Sequence, residues 1–469
     1  MTTTATVQIR LVKPLERSIR AGHPWIYREA LAVGGGDAGA KGATGAKGAA
    51  GSRFAGAGTG RADAGASGGR AAGASGAAGA DATGAKGAAG RDLRAGARGL
   101  NPSDNGGFSG GAPSTGSAVD IIGTDGKFVA RGLYDAKSAI AVRVVTLDRG
   151  QPLDAALIRS RIALGLRARR GTIDAATTTA FRWLNGEGDF LPGVVIDVYG
   201  TVAILRLDGD AVRVWRDWIV AAIVDVGRTL GITHVYERSR GGRGEALHGG
   251  EPPSPIEIRE HDVRFTVDIM KGQKTGFFLD QRENRRAIRA FAGGVDVVNL
   301  FGYTGGFSVN AALAGAHRVT TVDVAAPALV DARANFALNG IDPALHGFDA
   351  EDAFDWLERA RTQQRTFGLV ITDPPSFAPS EKALQKALTA YRDLHARALG
   401  IVDEGGVFVA ASCSSHVTMD AFIGTLRDAA DKTRRPLRLL EVRGQPADHP
   451  TTPAFVEGRY LKCVICRVD

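Results

Sequence analysis

The sequence predicts an α/β protein: a C-terminal parallel sheet flanked by helices, preceded by a small β-rich domain and a middle α+β domain. Three observations carry this. Beyond about Phe265, apolar strand-like runs alternate with helically spaced ones, the pattern of a parallel sheet whose ligands lie at the carboxyl ends of its strands. Between Pro152 and Arg238, helical and alternating runs are mixed. Near the N-terminus, short alternating runs flank a Gly/Ala/Ser tract almost free of large apolar residues.

A chain of 469 residues is too long for one core, and 44% hydrophobic content supports several. Three cysteines form no even-numbered framework, which fits a reducing compartment. The start has no apolar run of signal-peptide length, and no segment reaches the ~20 apolar residues of a membrane span. A cytoplasmic protein without membrane contact is expected. The net charge of +8 suits a polyanionic partner, although a basic balance also serves solubility alone.

Taken in order, the first β-rich elements are "VQIRLV" and "AGHPWIY". The tract from Gly34 to Gly116 follows and is expected to be a disordered insertion, because it cannot bury enough surface to offset ordering entropy. Glycine recurs at every third position from Gly36 to Gly51, but the triplets lack proline and the period fails, so no collagen-like helix is expected. The tract holds nine Lys/Arg against five Asp, half of the basic excess. After it, "AVDIIGTDGKFVARGLYD" and "IAVRVVTL" resume the β pattern, with Asp125-Gly126 as a hairpin turn. A helix from Pro152 to about Arg170, a hairpin over "VVIDVYGTVAILRLDG", an amphipathic helix over "WRDWIVAAIVDVGRTL" and a strand at "THVYER" make up the middle part, which Pro252 to Pro255 close. The expected units are 1–33 with 117–147, the insertion 34–116, the middle domain 148–264 and the α/β domain 265–469.

In "VDVVNLFGYTGGFSVNAALAGA" a strand gives way to a glycine-rich loop that opens a helix, whose free N–H groups and close backbone suit a nucleoside cofactor. Asn299, Phe301, Gly302, Tyr303, Thr304, Gly305 and Gly306 are its candidate residues. The next strand, "RVTTVDV", ends in Asp323, 21 positions after Gly302, where a carboxylate can accept both ribose hydroxyls or cap the following helix. Asp352 follows a third strand and could accept a bond from an adenine amino group, in competition with Asp349 and Glu351.

The fourth strand ends in "VITDPPSF". Two prolines hold the backbone extended and remove two donors, so Asp373, Pro374, Pro375 and Phe377 could hold a flat base beside the cofactor. In "VFVAASCSSH" an apolar strand breaks into hydroxyls around Cys413, which is either a buried filler or a nucleophile. Cys463 and Cys466 are spaced Cys-x-x-Cys, but in a strand they point to opposite faces, so no metal site is expected. His416 and His449 are polar loop or surface residues that could face the substrate. His23, Trp25 and Tyr27 could stack on RNA or form the core of their small domain.

Asn299-Leu-Phe-Gly-Tyr-Thr-Gly-Gly-Phe-Ser308, Asp323, Asp373-Pro-Pro-Ser-Phe377 and Ser412-Cys413-Ser414 resemble the ordered motifs of class I S-adenosylmethionine-dependent RNA methyltransferases. "KTGFFLDQRENR" (Lys274 to Arg285) resembles a signature of the bacterial 23S ribosomal RNA cytosine-5 methyltransferase family, and "GHPWIY" with "GKFVARGLYD" resembles that family's N-terminal PUA domain. "GEGDFLPGVVIDVYG" and "ADHP…EGRYLK" extend the likeness to all of the chain except the Gly/Ala insertion.

The resemblance implies a Rossmann-like methyltransferase domain, S-adenosylmethionine as cofactor, RNA as partner and no metal, the oligomeric state staying open with a homodimer as one option. It implies Cys413 as the nucleophile that adds to cytosine C6, and Asp373 as the group holding the amino group or N3 of the base. Gln281 enters as a cofactor contact, and Arg282 and Arg285 as residues near the cofactor or the RNA backbone, or else on a solvated helix face. Pro-Pro-Ser stands where some related enzymes carry a second cysteine, leaving the proton-removing base unassigned. Methylation of an exocyclic base nitrogen, and RNA binding on an inactive methyltransferase fold, remain rival readings. A dinucleotide oxidoreductase leaves Asp-Pro-Pro without a task.

Overall fold

A computed structural model describes residues 6–32, 108–109, 113–239, 244–378 and 380–469. Most of the expected insertion lies outside these residues. Its C-terminal end does not. Phe108–Ser109 pairs with Val7–Arg10, and the Gly116 N–H donates to the Tyr134 carbonyl. The boundary expected at Gly116 is therefore too late, because glycines around a two-residue strand mask its pairing.

Six strands form the N-terminal sheet, in the order Trp25–Tyr27, Ile140–Thr146, Phe128–Tyr134, Ala118–Ile122, Val7–Arg10 and Phe108–Ser109. Ile9, Ile26, Val119, Ile121, Ala130 and Val142 fill one side of it. The middle part is a five-stranded sheet covered by helices Ala155–Arg169 and Arg216–Gly227. The expected hairpin is there as Val194–Tyr199 paired antiparallel with Val202–Leu207, and His234–Glu237 adds in parallel.

The boundary expected at 264/265 is also corrected. It would cut the hairpin of Ile256–Glu260 and Val263–Val267, whose Ile258, Val263, Phe265 and Val267 pack with both Tyr199 of the middle sheet and Val297 of the C-terminal sheet. One core runs across the expected division, and no proline or glycine signal inside the hairpin announces it.

The C-terminal sheet has seven strands, numbered in chain order: β1 (Asp296–Leu300), β2 (Arg318–Asp323), β3 (Gly347–Ala350), β4 (Phe367–Thr372), β5 (Val402–Ser412), β6 (Leu437–Arg443) and β7 (Lys462–Val468). Their spatial order is 3-2-1-4-5-7-6, all parallel except β7, which runs antiparallel to both neighbours. Alternation decides the two faces: Val407, Val409 and Ala411 of β5 join one apolar cluster, Phe408 and Ala410 the other. Helices α1 (Gly306–Leu313) and α2 (Ala326–Leu338) cover the first face. Helices α3 (Ala353–Thr362), α4 (Leu384–Leu399) and α5 (Met419–Thr433) cover the second. A parallel sheet buried on both faces reads as continuous apolar runs, as these strands do. Cys463 and Cys466 fall into opposite clusters, in line with their spacing in a strand. Strand order reverses at β1, so the loops after β1 and β4 open the crevice where such sheets hold ligands.

Candidate active site

The loop leaving β1 is strained. Phe301 and Tyr303 both have left-handed backbone, at φ 60° and 46°, on either side of Gly302. Non-glycine residues hold that conformation only where their surroundings enforce it, typically at functional sites. The enforcement comes from Asp323 at the end of β2, whose carboxylate accepts from the Tyr303 N–H at 2.8 Å and the Ala325 N–H at 2.8 Å. The Thr304 carbonyl accepts from Asn335 Nδ2 at 3.0 Å.

The glycines prove to serve packing. A Cβ at Gly302 would lie 2.4 Å from Thr321 Cγ2, one at Gly306 would lie 2.9 Å from Arg285 Cδ, and Gly305 has φ 80°. Asn299 is 1% exposed and donates to Ser308 Oγ at 2.9 Å, but its buried Oδ1 has no partner within the protein. A part-exposed carboxylate beside a strained loop, with an unsatisfied acceptor underneath, is a set of acceptors that fits the hydroxyls and amino groups of a nucleoside cofactor.

Asp352 is the N-cap of α3: its Oδ1 accepts from the Phe354 N–H at 2.8 Å and the Asp355 N–H at 3.3 Å. Its competitors are also engaged, Asp349 by Trp356 Nε1 at 2.6 Å and Glu351 by Arg359.

The ends of β4 and β5 come together, as parallel neighbours must. Tyr391 of α4 stitches their loops, its hydroxyl lying 2.8 Å from Ser412 Oγ and 3.0 Å from Ser414 Oγ. Ser414 Oγ in turn lies 3.0 Å from Ser376 Oγ of the Asp-Pro-Pro-Ser turn. Pro374 is buried and Pro375 exposed. Phe377 packs tilted against Tyr391 with ring centres 4.8 Å apart, which commits part of its surface to the fold.

Asp373 and Cys413, both half-buried, share one electrostatic field. Burial, and then the Asp280 charge, raise the Asp373 carboxyl to about 6, against the pull of Lys274 and Gln281. Burial pushes the Cys413 thiol up to about 11; Lys274 and Lys462 pull it down, and Asp373 and Asp280 oppose them. The free protein therefore holds its thiol protonated, so the nucleophile reading needs charge rearrangement on substrate binding.

The structure bears on four sequence expectations here. Arg282, 2% exposed, pairs with Asp448 through Nη1 and Nη2 at 3.0 and 2.9 Å. Arg285, 3% exposed, pairs with Glu260 at 2.7 Å and lies over the Phe277 ring. Neither guanidinium lies on a solvated face, and Arg285 stands beside the β1 loop, its Cδ against Gly306. Gln281 donates Nε2 to Asp373 Oδ2 at 2.9 Å and accepts from Asn284 at 2.6 Å, so it holds Asp373 in place. His449 is buried against Asp448, 3.2 Å from its Oδ1, away from any surface. Trp25 neither lies free for stacking nor fills its own sheet: it packs edge-on to Phe455 with centres 4.6 Å apart and donates to Glu187 at 2.8 Å, joining three parts of the chain.

The structure adds residues to which the sequence assigned no role. Lys274 pairs with Asp280 at 2.6 Å and lies 4.5 Å over the Phe278 ring, and Tyr460 donates to the same Asp280 Oδ2 at 2.7 Å. Asp280 Oδ1 is buried without a partner. Lys462 sits beneath the Cys413 loop. All four stand inside "KTGFFLDQ" or "GRYLK", stretches singled out by resemblance, so the signal was present without the pairing that gives it meaning.

Comparisons with known proteins agree with this architecture. Residues 210–456 match a family model described as S-adenosylmethionine-dependent methyltransferase, and residues 107–147 match a PUA-like domain. The chain is 37% identical over 369 residues to "Ribosomal RNA large subunit methyltransferase I" of Shewanella denitrificans, covering 77% of this chain and 92% of that one. It is 36% identical to the protein of that name from Klebsiella pneumoniae, covering 76% and 91%. A solved structure titled SMU.776, a methyltransferase candidate complexed with SAH, superposes with a TM-score of 0.69 at 28% identity, covering 76% of this chain and 93% of its own. The strand order, the strained loop at β1 and these matches together establish that the chain belongs to the S-adenosylmethionine-dependent methyltransferase family that includes the ribosomal RNA large subunit methyltransferases I.

Proposed function

We propose that this protein methylates C5 of a cytosine in large-subunit ribosomal RNA through a covalent adduct at Cys413. The observation that carries the reading is the meeting of Cys413 and Asp373 at adjacent strand ends, beside the β1 loop. Asp323 and the β1 loop would hold S-adenosylmethionine, which supplies an electrophilic methyl group when bound. Cytosine C5 is too weak a nucleophile to take it unaided. The Cys413 thiolate forms a bond to C6, the C5=C6 pair becomes an enamine-like carbon that accepts the methyl, and loss of the C5 proton then expels the thiolate. Asp373, near 6, can donate a proton to N3 during addition and accept a bond from the amino group when ionised. Pro374 and Pro375 fix its backbone and keep two N–H groups out of the site.

The N-terminal PUA-like sheet and the basic net charge suit an RNA partner. The names of the relatives point to ribosomal RNA and with it to the cytoplasm. Among the described residues no helix is long and apolar enough to cross a membrane.

RNA carrying 5-fluorocytosine tests the chemistry, because fluorine at C5 cannot leave as a cation. Wild type with S-adenosylmethionine should stall as a protein–RNA adduct that Cys413→Ala does not form. Methyl transfer that survives in Cys413→Ala, with no adduct from wild type, would replace this reading with amino methylation.

A further inference from the structure

The loop that carries Cys413 rests on a buried lysine. Lys462 opens β7 and is 1% exposed. The β5–β7 register sets it opposite Ser412, and its Nζ donates to the carbonyls of Ser414 and, at 2.7 Å, Tyr460. The ammonium is thus anchored to the residue that follows Cys413. Burying a charge is costly unless it is paired. Among the described residues no carboxylate lies within ion-pair distance of Lys462.

The site's other cation is already spent. Lys274 is matched by Asp280 at 2.6 Å, and Asp280 and Asp373 both oppose a thiolate at Cys413. Tyr391 and Tyr460 beside the loop, and Cys463 next to Lys462 in β7, are all pushed above their ordinary range by burial. Burial lowers Lys462 to about 8, and the one charge that opposes this fall is that of Cys413.

We propose that Lys462 is a positioning residue that anchors the Cys413 loop and supplies the counter-charge for its thiolate. The assignment rests on the reading of Cys413 as nucleophile. Removing the Cys413 proton to solvent leaves S⁻ beside NH₃⁺ in a low-dielectric site, where such a pair attracts strongly. The arrangement also explains why a lysine occupies a sheet position that the apolar pattern of β7 would otherwise fill.

Iodoacetamide alkylation of Cys413, read by peptide mass spectrometry between about pH 6 and pH 10, tests this on the full chain without RNA. Cys463 and Cys466 are 0% exposed and should stay unmodified. The wild-type rate should show a shoulder near pH 8, because a proton lost there is shared between amine and thiol. Lys462→Gln keeps a donor for the two carbonyls but removes the charge. It should react about tenfold more slowly at pH 8 and lose the shoulder, one thiol unit being a factor of ten. Lys462→Arg should stay within about threefold of wild type.

A Lys462→Gln protein that melts and binds S-adenosylhomocysteine like wild type, yet alkylates at the wild-type rate, overturns the proposal. If that variant does not fold, the wild-type profile decides: a line of unit slope without a shoulder overturns it equally. Alkylation needs neither RNA nor methyl transfer. An intact coupling with no 5-fluorocytosine adduct therefore sinks the nucleophile reading while leaving the ion pair measured.

Discussion

Asp373 combines two demands that conflict. Its carboxyl is raised to about 6 by burial and by Asp280, while an unfolded chain would hold it near 3.9. A raised folded value means that the fold favours the protonated acid. That advantage is fully present below about pH 4 and is lost as pH climbs through about 6. Ionising Asp373 in place then costs on the order of 1–2 kcal/mol, after a discount for its partial exposure. Asp373→Asn should therefore be more stable than wild type at pH 8 by about that amount, with the difference gone by about pH 4, in urea melts at both values. Methyl transfer should meanwhile fall by about a hundredfold or more, the usual scale for removing a positioned acid. An Asn variant less stable than wild type at pH 8 would mean that Gln281 and Lys274 stabilise the carboxylate more than burial strains it. Gln281→Leu probes the same balance. The bond from Gln281 lowers the Asp373 value, so its loss should move the alkaline limb of the rate profile, where the proton-donating acid is lost, to higher pH and leave the KM for S-adenosylmethionine unchanged.

Strands and helices of the C-terminal sheet were legible in the sequence because each is decided locally. β4 and β5 are apolar runs bounded by Asp-Pro-Pro and by Ser-Cys-Ser, and β7 alternates faces so regularly that Cys463 and Cys466 separate as expected. Side-chain assignments were legible only where the partner is near in sequence. Asp352 shows the limit: position alone allowed an adenine contact, while the two N–H groups it caps lie two and three residues on. Loss of an N-cap carboxylate costs about 1 kcal/mol. Asp352→Ala should lower stability by that much in urea unfolding while the Kd for S-adenosylmethionine moves by less than about threefold, a change of under 1 kcal/mol. A tenfold loss of affinity with unchanged stability would support the adenine reading. Arg285 was out of reach for the opposite reason, since Glu260 lies 25 positions away, across the hairpin that the expected boundary divided.

At the scale of the molecule, one loop holds the parts together, and it explains where Arg282 went. Asp448 accepts from Arg282 through both oxygens, and its Oδ2 also accepts from the Arg182 N–H of the middle sheet at 2.9 Å. Its carbonyl accepts from Arg169 at 2.7 Å. Pro450 accepts from Asn185 at 2.8 Å, Thr452 donates to the Gly22 carbonyl at 2.9 Å, and Phe455 carries Trp25. A segment 166 positions from Arg282 thus ties the N-terminal sheet, the middle sheet and the catalytic sheet, and no local pattern in "ADHP" could have shown it. Removing one member of a buried ion pair strands the other charge and costs about 3–5 kcal/mol, whereas replacing both by apolar groups of similar volume is often near neutral. Asp448→Ala and Arg282→Met should each lower the unfolding free energy from urea melts by up to that scale, Glu283 still holding Arg282 at 3.0 Å and His449 still standing beside Asp448. Asp448→Leu combined with Arg282→Met should recover most of the loss, although the Arg182 N–H stays unsatisfied and keeps about 1 kcal/mol of it. If the double variant instead falls by the sum of its singles, the two residues act separately, and the loop holds the parts together through Arg169, Asn185, Gly22 and Trp25.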